Sequence, residues 1–282
     1  MPAASGVLVD LHLHTTISDG RLTPSELVDR VWVAGVRVMA VTDHDTTLAT
    51  SDVRALAVER GIQAISGIEI TAVEDGRDVH VLGYFIDEDD SSLARFLVQQ
   101  RLQRLDRVTA IAERLASLGM PVDVEPLLLE ARLNAGRSIG RPQIARAMIL
   151  AGHAATMSDV FDRWLGQGRP GFVPREGPSC ETVIAAIHSA GGLASLAHPG
   201  KTAIDSRIPA LCAAGLDAIE VHHSDHDQAL VEHYARMARE AGVLSTGGSD
   251  FHGDPQQRRA PGSRCLPEAE WFQLQAKARS HA

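Results

Sequence analysis

The sequence predicts an α/β fold in which strands and helices alternate around a parallel sheet or barrel, with a helical segment inserted near the middle of the chain. Three observations carry this. Between Gly6 and Ile86 short apolar runs alternate with helix-period patterns, the order that stacks helices on the faces of a sheet. From about Asp90 to Gly119 the apolar residues recur with helical spacing, and no strand candidate appears before Gly177. From Glu181 onward the alternation of helix and strand resumes.

The first strand is GVLVDLHLH, ending at His14. TPSELVDRVWVAGV opens a helix with Thr23 as N-cap, Pro24 at N1 and Glu26 at N3, a capping box with its proline where no hydrogen bond is lost. VRVMAVTD is the second strand, DVRALAVERG a helix closed by Gly61, IQAISGIEITAV a strand pair or bent strand, and DVHVLGYFI a further extended run. The helical stripe then runs through Leu93, Phe96, Leu97, Leu102, Leu105, Val108, Ile111, Ala112 and Leu115, followed by helical patterns at 123–134, 141–151 and 156–165. Residues 99–176 therefore read as an inserted helical domain ending in the Gly/Pro-rich GQGRPGFVPREGP, with 1–98 and 177–282 as the main domain. The return is helix ETVIAAIHSAG, strand GLASLAHPG, a helix near 205–214, strand LDAIEVHH, helix DQALVEHYARMAREAG, strand VLSTGGSDFHG and a last helix over 267–279.

At 282 residues and 44% hydrophobic composition the chain can bury a full core. No run approaches the ~18 apolar residues of a membrane helix, and MPAASG lacks the charged and apolar regions of a secretory signal, so a cytoplasmic location without membrane association is expected. Cys180, Cys212 and Cys265 are odd in number and without CxxC spacing, which argues against both a disulfide framework and a thiolate zinc site. A net charge of −9 offers no broad cationic face for a long duplex. Any anionic substrate must be gripped locally, and apart from Lys201 and Lys277 every basic residue is Arg.

The 13 histidines decide the function class. His12 and His14 end the first strand, Asp43 and His44 the second, Glu69 and His80 belong to the next two, His198 ends SLAHPG, and Asp250 and His252 end STGGSDFH. In βα architectures the carboxyl edge of the sheet is where loops converge into a site. Residues i and i+2 of a strand face one way, so His12/His14 and Asp250/His252 each present two ligands together. Imidazole with carboxylate suits Zn, Mn or Fe better than Ca or Mg. Asp43, facing away from His44, is assigned an orienting role. Buried together, such groups persist only with positive charge between them.

The strings DLHLHTTISDG, VTDHDT, GIEIT, VHVLGY, LAHPGK and GSDFH, in this order across nearly the whole chain, resemble the motifs of the PHP (polymerase and histidinol phosphatase) family of metal-dependent phosphoesterases. IGRPQIARAMILAG and FDRWLGQGRPGFVP further resemble its subgroup acting on nucleoside 3',5'-bisphosphates and on the 5' ends of short RNAs. The resemblance implies a distorted (β/α)7 barrel with an inserted helical cap and two or three divalent ions. One metal would take His12, His14, Glu69 and Asp250; a second would share Glu69 and take His80 and His198; a third would take Asp19, His44 and His252. It also aligns His226, in EVHHSDHDQ, as a general acid or phosphate contact, and Lys201 as a basic residue near the substrate. Where the subgroup reads GRPH this chain has Gln143.

Divalent ions outweighing Asp19, Glu69 and Asp250 in charge would leave a field suited to phosphate, and metal-bound water near pKa ~7 would supply a bridging hydroxide for in-line attack. Arg141, with a planar guanidinium matched to phosphate oxygens, is the candidate for a distal phosphate. The expected activity is loss of the 3'-phosphate from nucleoside 3',5'-bisphosphates, or 5'-3' trimming of short oligoribonucleotides. Two other readings fit the same residues: a phosphatase of another small metabolite, such as histidinol phosphate or a sugar phosphate, and a metal-binding module without turnover.

Overall fold

The computed structural model describes residues 6–134, 137–255 and 259–281. Among them eight strands form two sheets. β1 (Val9–Leu13), β2 (Val38–Val41) and β3 (Gln63–Ile65) make a parallel sheet in that order. β4 (Gly67–Glu74), β5 (Arg77–Tyr84), β6 (Leu193–Leu196), β7 (Ala218–His223) and β8 (Leu244–Gly248) make a second. The fold is thus mixed α/β, and its strands divide between two sheets with no continuous ladder joining them. IQAISGIEITAV divides between the two sheets, and β4 pairs antiparallel with β5, as β5 does with β6. The reversal is local chemistry: Asp75 and Gly76 both adopt positive φ (48° and 71°) between the paired residues Glu74 and Arg77, the two-residue turn that an Asp-Gly pair favours.

The sheets meet at two seams, each made by isolated bridges rather than a ladder. Leu13 bridges to Phe251, and His44 to Glu69. Two glycines allow the approach: a Cβ at Gly67 would lie 2.7 Å from the Val41 carbonyl oxygen, and one at Gly248 would lie 2.4 Å from the His12 nitrogen. Both seams fall beside candidate ligands, so the joined edges of the sheets are where the functional side chains gather.

Helices cover the outer faces. α1 (Pro24–Val33) starts with the expected capping box, Thr23 and Glu26 each accepting from the other's backbone N–H. α1 and α2 (Thr50–Glu59) pack on the small sheet through Leu27, Val28, Val31, Val53 and Ala57. α7 (Cys180–Ser189), α8 (Ile208–Ala213) and α9 (Gln228–Ala241) pack on the large one. α10 (Glu268–His281) brings Trp271 and Leu274 to a core shared by residues of both sheets, among them Val9, Leu11, Leu82 and Tyr84. The three cysteines are free, and no helix among the described residues is long and apolar enough to cross a membrane.

α3 (Ser91–Ser117) is the strut between the sheets and the helical segment, and the expected boundary at 98 and 99 falls inside it. Its first turns bury Leu93 and Leu97 against the large sheet. Further along, Val108, Ile111 and Leu115 enter a separate core with residues of α4 (Glu125–Leu133), α5 (Arg141–Leu150), α6 (Met157–Val160) and the π turn Phe161–Leu165. A buried ion network fastens this segment over the sheet edge. Asp45, after β2, accepts from Arg104 Nε of α3 at 2.5 Å, from Arg175 at 3.2 Å and from the Thr71 backbone N–H at 2.8 Å.

Burial opposes the charge on Asp45, but Arg104 and Arg175 outweigh it and hold the carboxyl well below the usual range. With the folded value below the unfolded one, this contribution is present at neutral pH and is lost only as pH falls below the ordinary value of 3.8. Asp45→Asn leaves two buried guanidinium groups without their counter-charge and is expected to destabilise by about 3–5 kcal/mol at pH 7. Urea midpoints should show a gap from wild type that persists between pH 7 and pH 5 and narrows only at stronger acidity.

Candidate metal centre

Glu69, 1% exposed in β4, has five imidazoles around its carboxylate. Oε2 lies 3.2 Å from His12 Nε2, 3.2 Å from His14 Nε2 and 3.3 Å from His44 Nδ1; Oε1 lies 2.8 Å from His80 Nδ1 and 2.9 Å from His198 Nε2. The antiparallel hairpin makes part of this possible, because His80 pairs with Thr71 and so stands diagonally across from Glu69. Asp250 closes one flank, with Oδ1 3.4–3.5 Å from His12, His14 and His252. Asp19 closes the other, 3.2 Å from His252, 3.6 Å from His14 and 3.7 Å from His44. All nine residues expected as ligands therefore lie in one cluster.

The arrangement fits cations rather than a hydrogen-bond network. Both ring nitrogens of His14, and Nδ1 of His44, His80 and His198, are buried without a hydrogen-bond partner, although several lie close to a carboxylate oxygen. Ligands each ~2.1 Å from a common ion sit about 3.0–3.4 Å apart, the spacing found around Glu69. Four sets of three or more donor atoms each fall within 4.8 Å of one another: His14/Asp19/His44/His252, His12/Glu69/His198, His44/Glu69/His80 and His12/His223/Asp250. Backbone is spent on this geometry, for His198 and Asp250 hold positive φ (29° and 53°) without being glycine.

Electrostatics divides the imidazoles into two groups. Burial drives His44 down to about 3 and, with Lys201, His198 down to about 4, keeping both neutral with lone pairs free. For His14 burial is outweighed by Asp250 and Glu69, which raise it to about 10; for His12 burial is outweighed by Glu220, Glu69 and Asp250. Burial also opposes ionisation of Glu69, Asp19 and Asp250, yet neighbouring imidazoles, with Lys201 for Asp250, hold all three well below the usual carboxylate range.

Two participants were not assigned from the sequence. Glu220 of β7 is fully buried; it accepts from His12 Nδ1–H at 2.8 Å and from the His198 backbone N–H at 2.7 Å. It thereby fixes the His12 ring with Nε2 facing Glu69 and steadies the strained His198, the supporting contact that imidazole ligands usually have. His223, rather than His226, is the β7-end histidine at the cluster, 3.2 Å from Asp250 Oδ2. No local sequence signal marks Glu220, whose partner His12 lies 208 residues away.

His226 does not reach the cavity. It is 1% exposed, its Nδ1–H donates to the Val221 carbonyl at 2.9 Å and its Nε2 accepts from Gly200 N–H at 3.3 Å. Both nitrogens serve the backbone, so the expected acid or phosphate contact gives way to a wedge under the 198–202 loop. Asp43, 1% exposed, accepts from Thr15 N–H (2.8 Å), Thr15 Oγ1 (2.6 Å) and Ser18 Oγ (2.6 Å), anchoring the loop between His14 and Asp19 rather than facing the cavity. Gln143 caps α5 by accepting from Gly140 N–H and donates to the Ser18 carbonyl at 2.6 Å, tying the helical segment to that same loop.

Above the cluster opens a cavity of about 560 Å³ whose floor includes Glu69, His44, His80 and His252. Lys201 and Arg141 stand in its wall as expected, joined by Arg104, Arg107 and Arg175. Lys201 Nζ bonds Asp250 and Asp225 at 3.0 Å each. Arg141 and Arg107 share Asp78 (2.7 and 3.0 Å) and lie over the Phe172 ring.

A buried cage of imidazoles and carboxylates under a guanidinium-walled cavity has the donors to hold divalent ions and the charge to hold phosphate. Residues 10–138 match the PHP domain. The chain is 36% identical over 253 residues to the 5'-3' exoribonuclease Rnm of Escherichia coli (87% of this chain, 85% of that one). It is 32% identical over 280 residues to the 3',5'-nucleoside bisphosphate phosphatase of Chromobacterium violaceum (95% and 97%). A crystal structure from Bifidobacterium adolescentis, of a proposed metal-dependent phosphoesterase, superposes with a TM-score of 0.86 at 31% identity over 95% of each chain. The chain belongs to the PHP family and is a metal-dependent phosphoesterase.

Glu220→Gln, which keeps one acceptor for His12, is expected to weaken divalent-ion affinity about 10-fold, and Glu220→Ala up to about 100-fold. Titration calorimetry with Mn²⁺ on metal-stripped protein would read this directly, with circular dichroism checking that each variant is folded.

Proposed function

We propose that this protein removes the 3'-phosphate from nucleoside 3',5'-bisphosphates and trims short oligoribonucleotides from a phosphorylated 5' end. The observation that carries the reading is the distance-spanning pairing of a cation cage on the cavity floor with guanidinium groups on its wall. Arg104, Arg107, Arg141 and Arg175 face two carboxylates, Asp45 and Asp78. The wall therefore keeps a positive surplus suited to a terminal phosphate dianion. The volume lies in the range of small-ligand sites, ~300–1,000 Å³, enough for a mononucleotide laid between wall and floor. Relatives with both named activities match over most of their length.

In this reading the two sheets act as one distorted barrel, and residues 99–176 act as a cap that supplies the phosphate-recognising side. The mixed imidazole and carboxylate donors suit two or three ions of the Mn, Fe or Zn class. When bound, such ions make hydroxide available near neutral pH and polarise phosphoryl oxygens. The chain's own residues do the rest. Arg141 and Arg175 hold the 5'-phosphate, which fixes the distance to the next phosphorus. Lys201, beside Asp250, places a positive charge against the reacting phosphoryl group. Glu220 and Asp43 keep the His12, His198 and Asp19 donors in register.

The test compares adenosine 3',5'-bisphosphate with adenosine 3'-monophosphate by phosphate release in Mn²⁺. The bisphosphate should be preferred at least 10-fold in kcat/KM, and Arg141→Ala should erase most of that preference by raising KM. Equal rates with and without the 5'-phosphate would favour hydrolysis of some other small phosphate ester.

A further inference from the structure

A second groove, of about 390 Å³, adjoins the cavity at one corner of the same cluster. The two share Asp19, His252, Pro142 and Phe161, so the Asp19/His252 corner of the cage is walled by both. We infer that this groove is a subsite for the second nucleotide of an oligoribonucleotide, the one attached through its 5' oxygen to the phosphorus that reacts. This rests on the proposed function and extends it by giving the polymer a path past the cage.

The chemistry requires such a path. With the first nucleotide in the guanidinium-walled cavity, hydrolysis forms a bond from water oxygen to phosphorus and breaks the bond from phosphorus to the 3' oxygen, which takes up the proton. The phosphate stays on the second nucleotide, which leaves with a new 5'-phosphate. In a 3',5'-bisphosphate the corresponding phosphoryl oxygen is unsubstituted; in an oligonucleotide it carries the rest of the chain. A closed cavity would accept only the former, whereas here a groove adjoins the cavity beside Asp19.

The groove is shaped for a nucleotide. Pro142, Met157 and the Phe161 ring line the groove as apolar surface for a base, and stacking on an aromatic ring tolerates any base. Arg146 supplies the charge: one guanidinium nitrogen donates to the Asp19 carbonyl at 2.6 Å, while its buried Nε has no hydrogen-bond partner. The acidic group at the far side, Asp254, is paired with Arg21 at 3.1 Å, which reduces its repulsion of phosphate. Ser158 is exposed on the rim.

Mn²⁺-supplied protein would be assayed on adenosine 3',5'-bisphosphate and on 5'-phosphorylated triadenylate. Ser158→Trp, which fills the groove, should lower kcat/KM for the trinucleotide at least 10-fold more than for the bisphosphate. Arg146→Met should shift the same ratio mainly through KM, and Arg146→Lys should restore part of it. Losses equal for both substrates, or no change in either, would overturn the subsite and leave the functional reading standing. Hydrolysis of neither substrate by the unaltered protein would overturn that reading and the subsite with it.

Discussion

The structure is organised around one fully buried carboxylate and the five imidazoles that surround it. Glu69 cannot stay ionised in an apolar interior on its own, and the groups that stabilise it come from β1, the loop after β2, β5 and the end of β6. Satisfying Glu69 therefore fixes where both sheets must end. The two glycine approaches and the two isolated bridges are the backbone's answer to that demand, since they bring Val41 to Gly67 and His12 to Gly248 at the same edge.

Around this centre the rest of the chain acts in layers. Glu220, Asp43 and Asp10 are buried acids that never face the cavity; they hold backbone N–H groups and one imidazole so that the donors keep their directions. Burial pushes Asp10 up to about 6, against the lowering effect of its hydrogen bonds to Gly262 and Ser249. The helical segment, with a core of its own, brings arginines to the cavity from outside the sheets and is fastened back by Asp45, Asp78 and the Ser18 carbonyl. The imidazole and carboxylate cluster and most of the arginine wall thus come from different parts of the chain, and both line one cavity of about 560 Å³.

The gathering of these side chains was legible because strand ends rich in His and Asp have few other uses, and because the i, i+2 spacing of His12/His14 and Asp250/His252 puts pairs on one side; their division among metals came only from the family resemblance. The antiparallel hairpin was readable in principle from Asp75-Gly76, but the hydrophobic rhythm on either side resembles a βα repeat and masks a two-residue turn. Glu220 was missed because its partners are remote in sequence: 208 residues separate it from His12, and nothing local marks a buried acid in AIEVHH. His223 ends β7 and His226 follows three residues later, so only coordinates reveal that His226 is consumed by the Val221 carbonyl and Gly200 N–H. The arginine wall was partly visible, since Arg141 stood in a Gly/Pro motif, while Arg104 and Arg107 have the spacing of ordinary helix-surface charge on α3 and nothing around Arg175 set it apart.

The most direct test of the central claim is anomalous diffraction from crystals grown with Mn²⁺. The account requires at least two manganese peaks, with one or more within bonding distance of Glu69 and the others reached by Asp19, Asp250 and their histidines. Crystals soaked to saturation that show no peak within about 2.5 Å of a Glu69 oxygen would mean that the five imidazoles gather for the carboxylate's sake alone, and the hydrolytic site would have to be sought elsewhere.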